Sequence, residues 1–168
     1  MSEFREIKCE ELNSNVFNAV GNEWMLITAG DKNGCNTMTA SWGGLGVLWG
    51  RNVAFCFIRP ERHTFKFTEE NEYFSLAFFG GEYKKELAFC GAKSGRDVDK
   101  ADACGFTTCF DENAPYFEQA HTVLICKKLF AQQFDKDSFV DKSILDTYYN
   151  GIGYHMAYVG EIVKILTK

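Results

Sequence analysis

Apolar residues in this chain come in runs rich in β-branched and aromatic side chains, and six of these runs predict strands. They lie at Trp24 to Ala29, Met38 to Leu48, Asn52 to Ile58, Tyr73 to Phe79, Thr122 to Phe134 and His155 to Ile165. Asp31-Lys32-Asn33-Gly34 is a turn signal between the first two. Gly43, Gly44 and Gly46 fall inside the second run and predict a bulge, a sharp bend or a close approach of backbone or ligand. Helices are predicted at Thr64 to Asn71, Glu82 to Cys90 and Asp97 to Ala103. Thr64 is the expected N-cap of the first, directly after an Arg59-Pro60-Glu61-Arg62-His63 turn. Gly91 and Gly105 are expected to end the second and third. Strands come first, then a helical middle, then strands again. That order lacks the regular βαβ alternation of a Rossmann sheet, and no GxGxxG occurs. A mainly β fold is expected: an antiparallel barrel with a few short helices outside it.

Composition narrows the class. At 168 residues the chain is expected to form one domain spanning 1–168, large enough for a core without staples. Hydrophobic residues make up 46% and aromatics 15%, which excludes a disordered chain. The net charge is -5 and no run of Lys and Arg occurs, so no nucleic-acid partner is expected. Residues 33–50 carry no charge, yet their five glycines, Asn36, Thr37, Thr39 and Ser41 do not suit a lipid-buried helix. No membrane partner is expected either. The seven cysteines are scattered, with no C-x-x-C pair and no zinc-like spacing. They read as reduced, mostly buried thiols. The N-terminal MSEFREIKCEELNS lacks an apolar core for a signal peptide. A cytoplasmic location is therefore expected.

Four segments carry candidate chemistry. In the first, Asn36-Thr37-Met38-Thr39-Ala40-Ser41-Trp42, an extended chain would put Thr37, Thr39 and Ser41 on one face and Met38, Ala40 and Trp42 on the other. Hydroxyls beside an aromatic suit a large planar ligand, and the same pattern suits any half-buried strand. The second is the cluster of Arg59, Arg62 and Thr64 at a strand end and helix start, which suits a phosphate or a solvated surface turn. In the third, Ser94-Gly95-Arg96-Asp97-Val98-Asp99-Lys100, a loop enters a short helix and could close over a ligand; its aspartates also suit a helix start as such. The fourth runs from Gly153 through Tyr154 and His155 to Gly160-Glu161-Ile162, where His155 opens an apolar strand and stands as a possible catalytic residue beside the ordinary edge-histidine reading. No Ser-His-Asp order, GxSxG or Cys-His signature supports acyl transfer, and no metal site is expected.

Together, and in this order, these segments resemble the flavin reductase-like, FMN-binding split-barrel family, most of all its flavoredoxin branch. The matching phrases are Asn36-Thr37-Met38-Thr39-Ala40-Ser41-Trp42-Gly43, Arg59-Pro60-Glu61-Arg62-His63-Thr64, Ser94-Gly95-Arg96-Asp97-Val98-Asp99-Lys100 and Tyr154-His155. Asn22-Glu23-Trp24-Met25-Leu26 and Phe117-Glu118-Gln119-Ala120 are also similar. The resemblance implies a Greek-key split barrel that forms a homodimer with FMN near the subunit interface. It implies that Asn36 to Trp42 line the flavin ring and ribityl chain. Arg59, Arg62 and Thr64, with Ser94 and Lys100, would take the phosphate. It further implies hydride transfer from NADH or NADPH to the flavin and on to an acceptor. The alternative it leaves open is a non-enzymatic FMN electron carrier working with a redox partner protein. One departure is visible: similar chains often carry an acidic residue before the Tyr-His pair, where this chain has Gly153. The departure bears on His155 and not on the fold.

Overall fold

The computed structural model describes residues 3–111 and 114–168. Met1 and Ser2, the first residues of the stretch read as lacking a signal peptide, lie outside the described residues. Among the described residues there are ten strands: β1 (Arg5–Ile7), β2 (Met25–Asp31), β3 (Gly34–Ala40), β4 (Gly43–Leu48), β5 (Arg51–Ile58), β6 (Tyr73–Phe78), β7 (Thr108–Asp111), β8 (Ala114–Phe117), β9 (Thr122–Gln133) and β10 (Met156–Thr167). Among the described residues five α-helices accompany them: α1 (Val16–Asn18), α2 (His63–Glu70), α3 (Lys84–Ala92), α4 (Lys100–Cys104) and α5 (Ser143–Tyr148), with short 3-10 or π turns at Cys9–Glu11, Ala19–Glu23 and Lys136–Ser138.

The large sheet is antiparallel throughout, in the order β3-β2-β6-β9-β10-β5-β4, with β1 paired to β10. Its two outermost strands, β3 and β4, are joined by Ser41 and Trp42 alone. Three Cα steps span at most ~11 Å. Seven strands laid flat would put the edges ~29 Å apart. The sheet must therefore roll up until its edges approach, while β3 and β4 stay unpaired with each other. That is a split barrel.

Both faces of the central strands are covered, so the strands read as continuous apolar runs rather than alternating ones. Along β2, Met25, Ile27 and Ala29 point into the barrel with Ala54, Cys56, Phe74, Leu124 and Tyr158. Leu26, on the opposite face, packs outside with Phe79, Leu87, Phe106, Phe117 and Val123. Helix α2 packs on β2 and β3 and sends Phe65 and Phe67 to the inner cluster, while Leu87 and Cys90 of α3 join the outer one. Strand β3 is thus gripped between α2 on one face and α3 on the other.

Several expected boundaries move. The run Met38 to Leu48 is two strands, not one, and it breaks at Gly43, which has φ +154°. A Cβ there would sit 2.7 Å from the Phe55 carbonyl oxygen, so only glycine lets the chain swing from one barrel edge to the other. Gly91 does not end its helix. It lies inside α3, where its missing side chain lets Thr39 approach to 3.4 Å of a would-be Cβ. Thr64 is not an N-cap: α2 begins one residue earlier, with Arg62 extended in the cap position and no side-chain cap bond. The third helix starts at Lys100, because Asp99 caps it by accepting from the Asp102 amide at 3.0 Å. Gly105 ends it in the left-handed conformation, as expected. The β7–β8 hairpin and α5 were not anticipated.

Candidate functional site

Where α2 begins, the chain has just left the inner-face strand β5, and the loop after α3 crosses in front of it. Between them lies a cavity of about 180 Å³ lined by Arg62, His63, Thr64, Ser94, Gly95 and Lys100, among others. Pockets that enclose a whole small-molecule ligand run to about 300–1,000 Å³. This one admits the anionic end of a ligand and leaves the rest outside. Hollows of about 300 and 620 Å³ lie elsewhere, around the N-terminal segment and His121, whereas one of about 440 Å³ adjoins this cavity, sharing Gly95 and Lys100 and lined also by Asn36, Thr37 and Asp99.

Arg62 and Lys100 give the cavity its character. Arg62 donates through Nη1 to the Gly91 carbonyl at 3.0 Å. Its Nη2 is buried without a hydrogen-bond partner, the sole such side-chain atom among the described residues. Lys100 is 4% exposed and donates to the carbonyls of Thr37 and Cys90, at 2.8 and 2.7 Å. Burial first, and then the charge of Arg62, push the Lys100 pKa down to about 8. Burial lowers that of Arg62 as well. Among the described residues neither cation has a carboxylate partner. Two desolvated positive charges side by side cost stability unless an anion joins them. An orphaned buried donor costs about 1–3 kcal/mol. The arrangement therefore has the charge and the free donor to hold a phosphate.

The walls are set by close contacts. Asn36 donates through Nδ2 to the Thr64 hydroxyl at 2.8 Å, tying β3 to α2. Gly95 lies so close that a Cβ there would fall 1.8 Å from Asn36 Oδ1. Ser94 shapes the loop, accepting from the Arg96 amide at 3.2 Å. Arg96 itself donates to the Glu61 carbonyl at 3.2 Å.

Other candidates lie apart from this cavity. Thr37 is buried and its hydroxyl is spent on Thr28 and the Ile27 carbonyl, at 2.9 and 3.2 Å. The Thr39 hydroxyl donates to the Leu87 carbonyl of α3. Met38 and Ala40 face the inner core. Ser41 is exposed between the strands. Arg59 turns away from Arg62: it donates to the Tyr148 carbonyl at 2.6 Å, and its guanidinium lies 5.2 Å from the Tyr149 ring centre.

Trp42, 44% exposed, meets Tyr148 edge-on at 5.3 Å and His155 at the same centroid distance. His155 is buried and shares a 2.8 Å hydrogen bond between its Nδ1 and the Tyr149 hydroxyl. Burial, and then the charge of Arg59, push its pKa down to about 4, so the ring is neutral at pH 7. The structure thus brings Asn36, Arg62, Thr64, Ser94 and Lys100 together. It gathers Trp42, Arg59 and His155 into a second, aromatic group. Sequence reasoning missed Arg96, although it stands beside Ser94-Gly95. It also missed Tyr149, for which no local signal exists.

The sequence profile described as "Flavin reductase like domain" matches residues 17–168. No curated protein matches the sequence. Among solved structures, the chain is similar to a flavoredoxin from Methanosarcina acetivorans, with TM-score 0.68 and 23% identity over 94% of this chain and 74% of that one. It is similar to an FMN-binding protein from Thermus thermophilus with bound p-hydroxybenzaldehyde, with TM-score 0.68 and 20% identity over 98% and 82% of the two chains. An NADH:FAD oxidoreductase from Streptomyces globisporus C-1027, in complex with NAD and FAD fragments, gives TM-score 0.63 and 15% identity over 84% and 72%. At these identities the likeness is one of fold.

Proposed function

This chain belongs to the flavin reductase-like family, and from that premise we propose that it binds FMN and passes a hydride from NADH or NADPH through the flavin to an acceptor. One observation carries the reading: Arg62 keeps a buried donor unpartnered beside Lys100, and no carboxylate among the described residues answers either charge. Arg62 and Lys100 would hold the phosphate, with Thr64 and Ser94 beside them on the cavity wall. Asn36 would keep the Thr64 hydroxyl in place. Trp42 and His155 would border the flavin ring, and the segment from Asn36 to Trp42 would supply its edge contacts.

FMN, when bound, supplies the hydride-accepting chemistry, so no side-chain nucleophile is required. The chain's own residues bind, orient and exclude water. His155, neutral and held by the Tyr149 hydroxyl, adds an apolar edge without a charge at pH 7. Tyr148 backs Trp42 and limits its movement. Arg59 leaves a cation at this second group, 5.2 Å from the Tyr149 ring centre, which suits the anionic part of a nicotinamide substrate.

A homodimer fits the same reading. Val47, Trp49 and Phe130 are exposed at and beside the unpaired β4 edge, where a second copy would cover them. All seven cysteines are free thiols, which suits a reducing cytoplasm. No helix among the described residues is long and apolar enough to cross a membrane.

The decisive experiment is purification without added flavin. The protein should be yellow and release FMN on denaturation. Release of FAD alone, or a colourless protein that ignores added FMN, would overturn the reading.

A further inference from the structure

Two cysteines meet behind the anion cavity. Cys90, fully buried in α3, and Cys104, partly exposed at the end of α4, have their sulfurs 3.7 Å apart. Among the described residues no other two cysteine sulfurs share a hydrogen bond, and this pair brackets the segment that carries Ser94, Gly95, Arg96 and Lys100. Cys90 is also tied to the cavity through its backbone, because its carbonyl accepts from Lys100 Nζ. Its neighbour Gly91 accepts from Arg62 in the same way. A covalent link between the two sulfurs would therefore staple the end of α3 to α4 across the base of the loop.

The geometry points to Cys90 and Cys104 as a redox-modifiable dithiol, whose oxidation by hydrogen peroxide closes residues 90–104, with the 93–99 loop inside, into a covalent ring. This does not depend on the flavin reading. Cys104 is the accessible thiol, so its sulfur attacks the peroxide oxygen. The O–O bond breaks, Cys104 becomes a sulfenic acid and one water leaves. The Cys90 sulfur then attacks Cys104, the S–O bond breaks, and a second water leaves as the S–S bond forms. Two thiols lose two electrons and two protons, and hydrogen peroxide is reduced to two waters. Sulfurs at 3.7 Å must close to the about 2.05 Å of a disulfide, a shift within reach of side-chain rotation and a small helix movement. Both thiols are held in their neutral form: Cys90 is pushed up to about 12 by burial, the neighbouring Cys104 and Glu86, against the pull of Lys100. Burial likewise raises Cys104, which Lys100 also opposes. Reaction with peroxide is accordingly slow, and the pair answers sustained exposure rather than a pulse.

The test uses the whole protein treated with hydrogen peroxide, followed by peptide mapping and amide hydrogen exchange. The expected result is a loss of two of seven free thiols and a Cys90–Cys104 cross-linked peptide. Exchange across residues 91–99 should slow, and reductant should restore it. Cys104→Ser should abolish the cross-link while leaving the untreated exchange pattern in place. Over-oxidation of Cys104 without a cross-link, or pairing of other cysteines instead, would overturn the assignment. A Cys90–Cys104 link with unchanged exchange at 91–99 would overturn the loop-closing role.

Discussion

At the scale of single residues, the cavity turns on what Arg62 and Lys100 lack. Arg62→Ala removes the orphaned donor and one of the two cations. FMN affinity should fall by about 1.5–3 kcal/mol, the range for a hydrogen bond to a charged group. Flavin titration of the folded variant checks it, and unchanged affinity would make Arg62 a structural residue. Lys100 adds a pH dependence. In the unfolded chain it titrates near 10.5, but here near 8. Between those values the unfolded chain holds a proton that the folded one has released, so folding stability from this group rises with pH across that window. Anion binding goes the other way, because it needs the charged form. FMN affinity should fall by about twofold from pH 7 to 8 and then more steeply, by up to about tenfold per unit. Lys100→Met should weaken binding at pH 7 and flatten the profile. The turn and the helix start drew attention to Arg62 and Thr64 from the sequence alone, whereas Ser94 and Lys100 entered as phosphate residues only through the family resemblance; the structure places all four on one cavity wall. It could not show that Arg59 and Arg62, three residues apart, point to different groups. That follows from Arg62 taking the α2 cap position while Arg59 meets Tyr148, 89 residues further on. Nor could it show that the partners of Lys100 are the backbone carbonyls of Thr37 and Cys90, which no side-chain pattern reports.

Among the elements, the strands were the most legible and the breaks the least. Runs such as Asn52 to Ile58 and Thr122 to Phe134 match β5 and β9 within a residue, since a strand buried on both faces must be apolar throughout. The same continuity hid the split between β3 and β4, because the chain stays apolar and small while it changes edges. Only the glycines marked it. Gly43→Ala should therefore be disproportionately costly: it forces a side chain into positive φ and drives its Cβ against the Phe55 carbonyl. Such a residue costs on the order of 1–3 kcal/mol, to which the clash adds. Denaturant melts should show the loss. The matching change at Gly44, where a Cβ meets nothing within 4 Å, should be mild. Equal effects at the two positions would mean that the edge-to-edge crossing is not held by Gly43. Helices α3 and α4 were found but displaced, because Gly91 serves packing against Thr39 and Asp99, not Asp97, supplies the cap. The β7–β8 hairpin has four-residue strands, one containing Pro115, too short and too interrupted for a periodic signal.

For the whole molecule the open choice is between a reductase and an electron carrier, and the arrangement of the two groups bears on it. The Arg62–Lys100 cavity, proposed to take the phosphate, is walled by α2, β3 and the loop after α3. The aromatic group is more open: Trp42 is 44% exposed and Arg59 stands beside it with no carboxylate ion pair among the described residues. A firmly held tail with an accessible ring face suits a cofactor that meets a second planar, anionic substrate. Hydride transfer needs the reacting atoms about 3–3.5 Å apart, hence direct stacking of nicotinamide on flavin. A carrier needs only an exposed edge for electron transfer. Anaerobic rapid mixing separates them. With NADH or NADPH, flavin absorbance should bleach in a step whose rate saturates with nicotinamide concentration. Arg59→Ala should raise the half-saturating concentration more than it lowers the limiting rate, because its cation acts on binding rather than on the hydride. Slow, non-saturating bleaching by both nicotinamides, with fast reduction by a protein donor, would assign the carrier role and leave the FMN site intact.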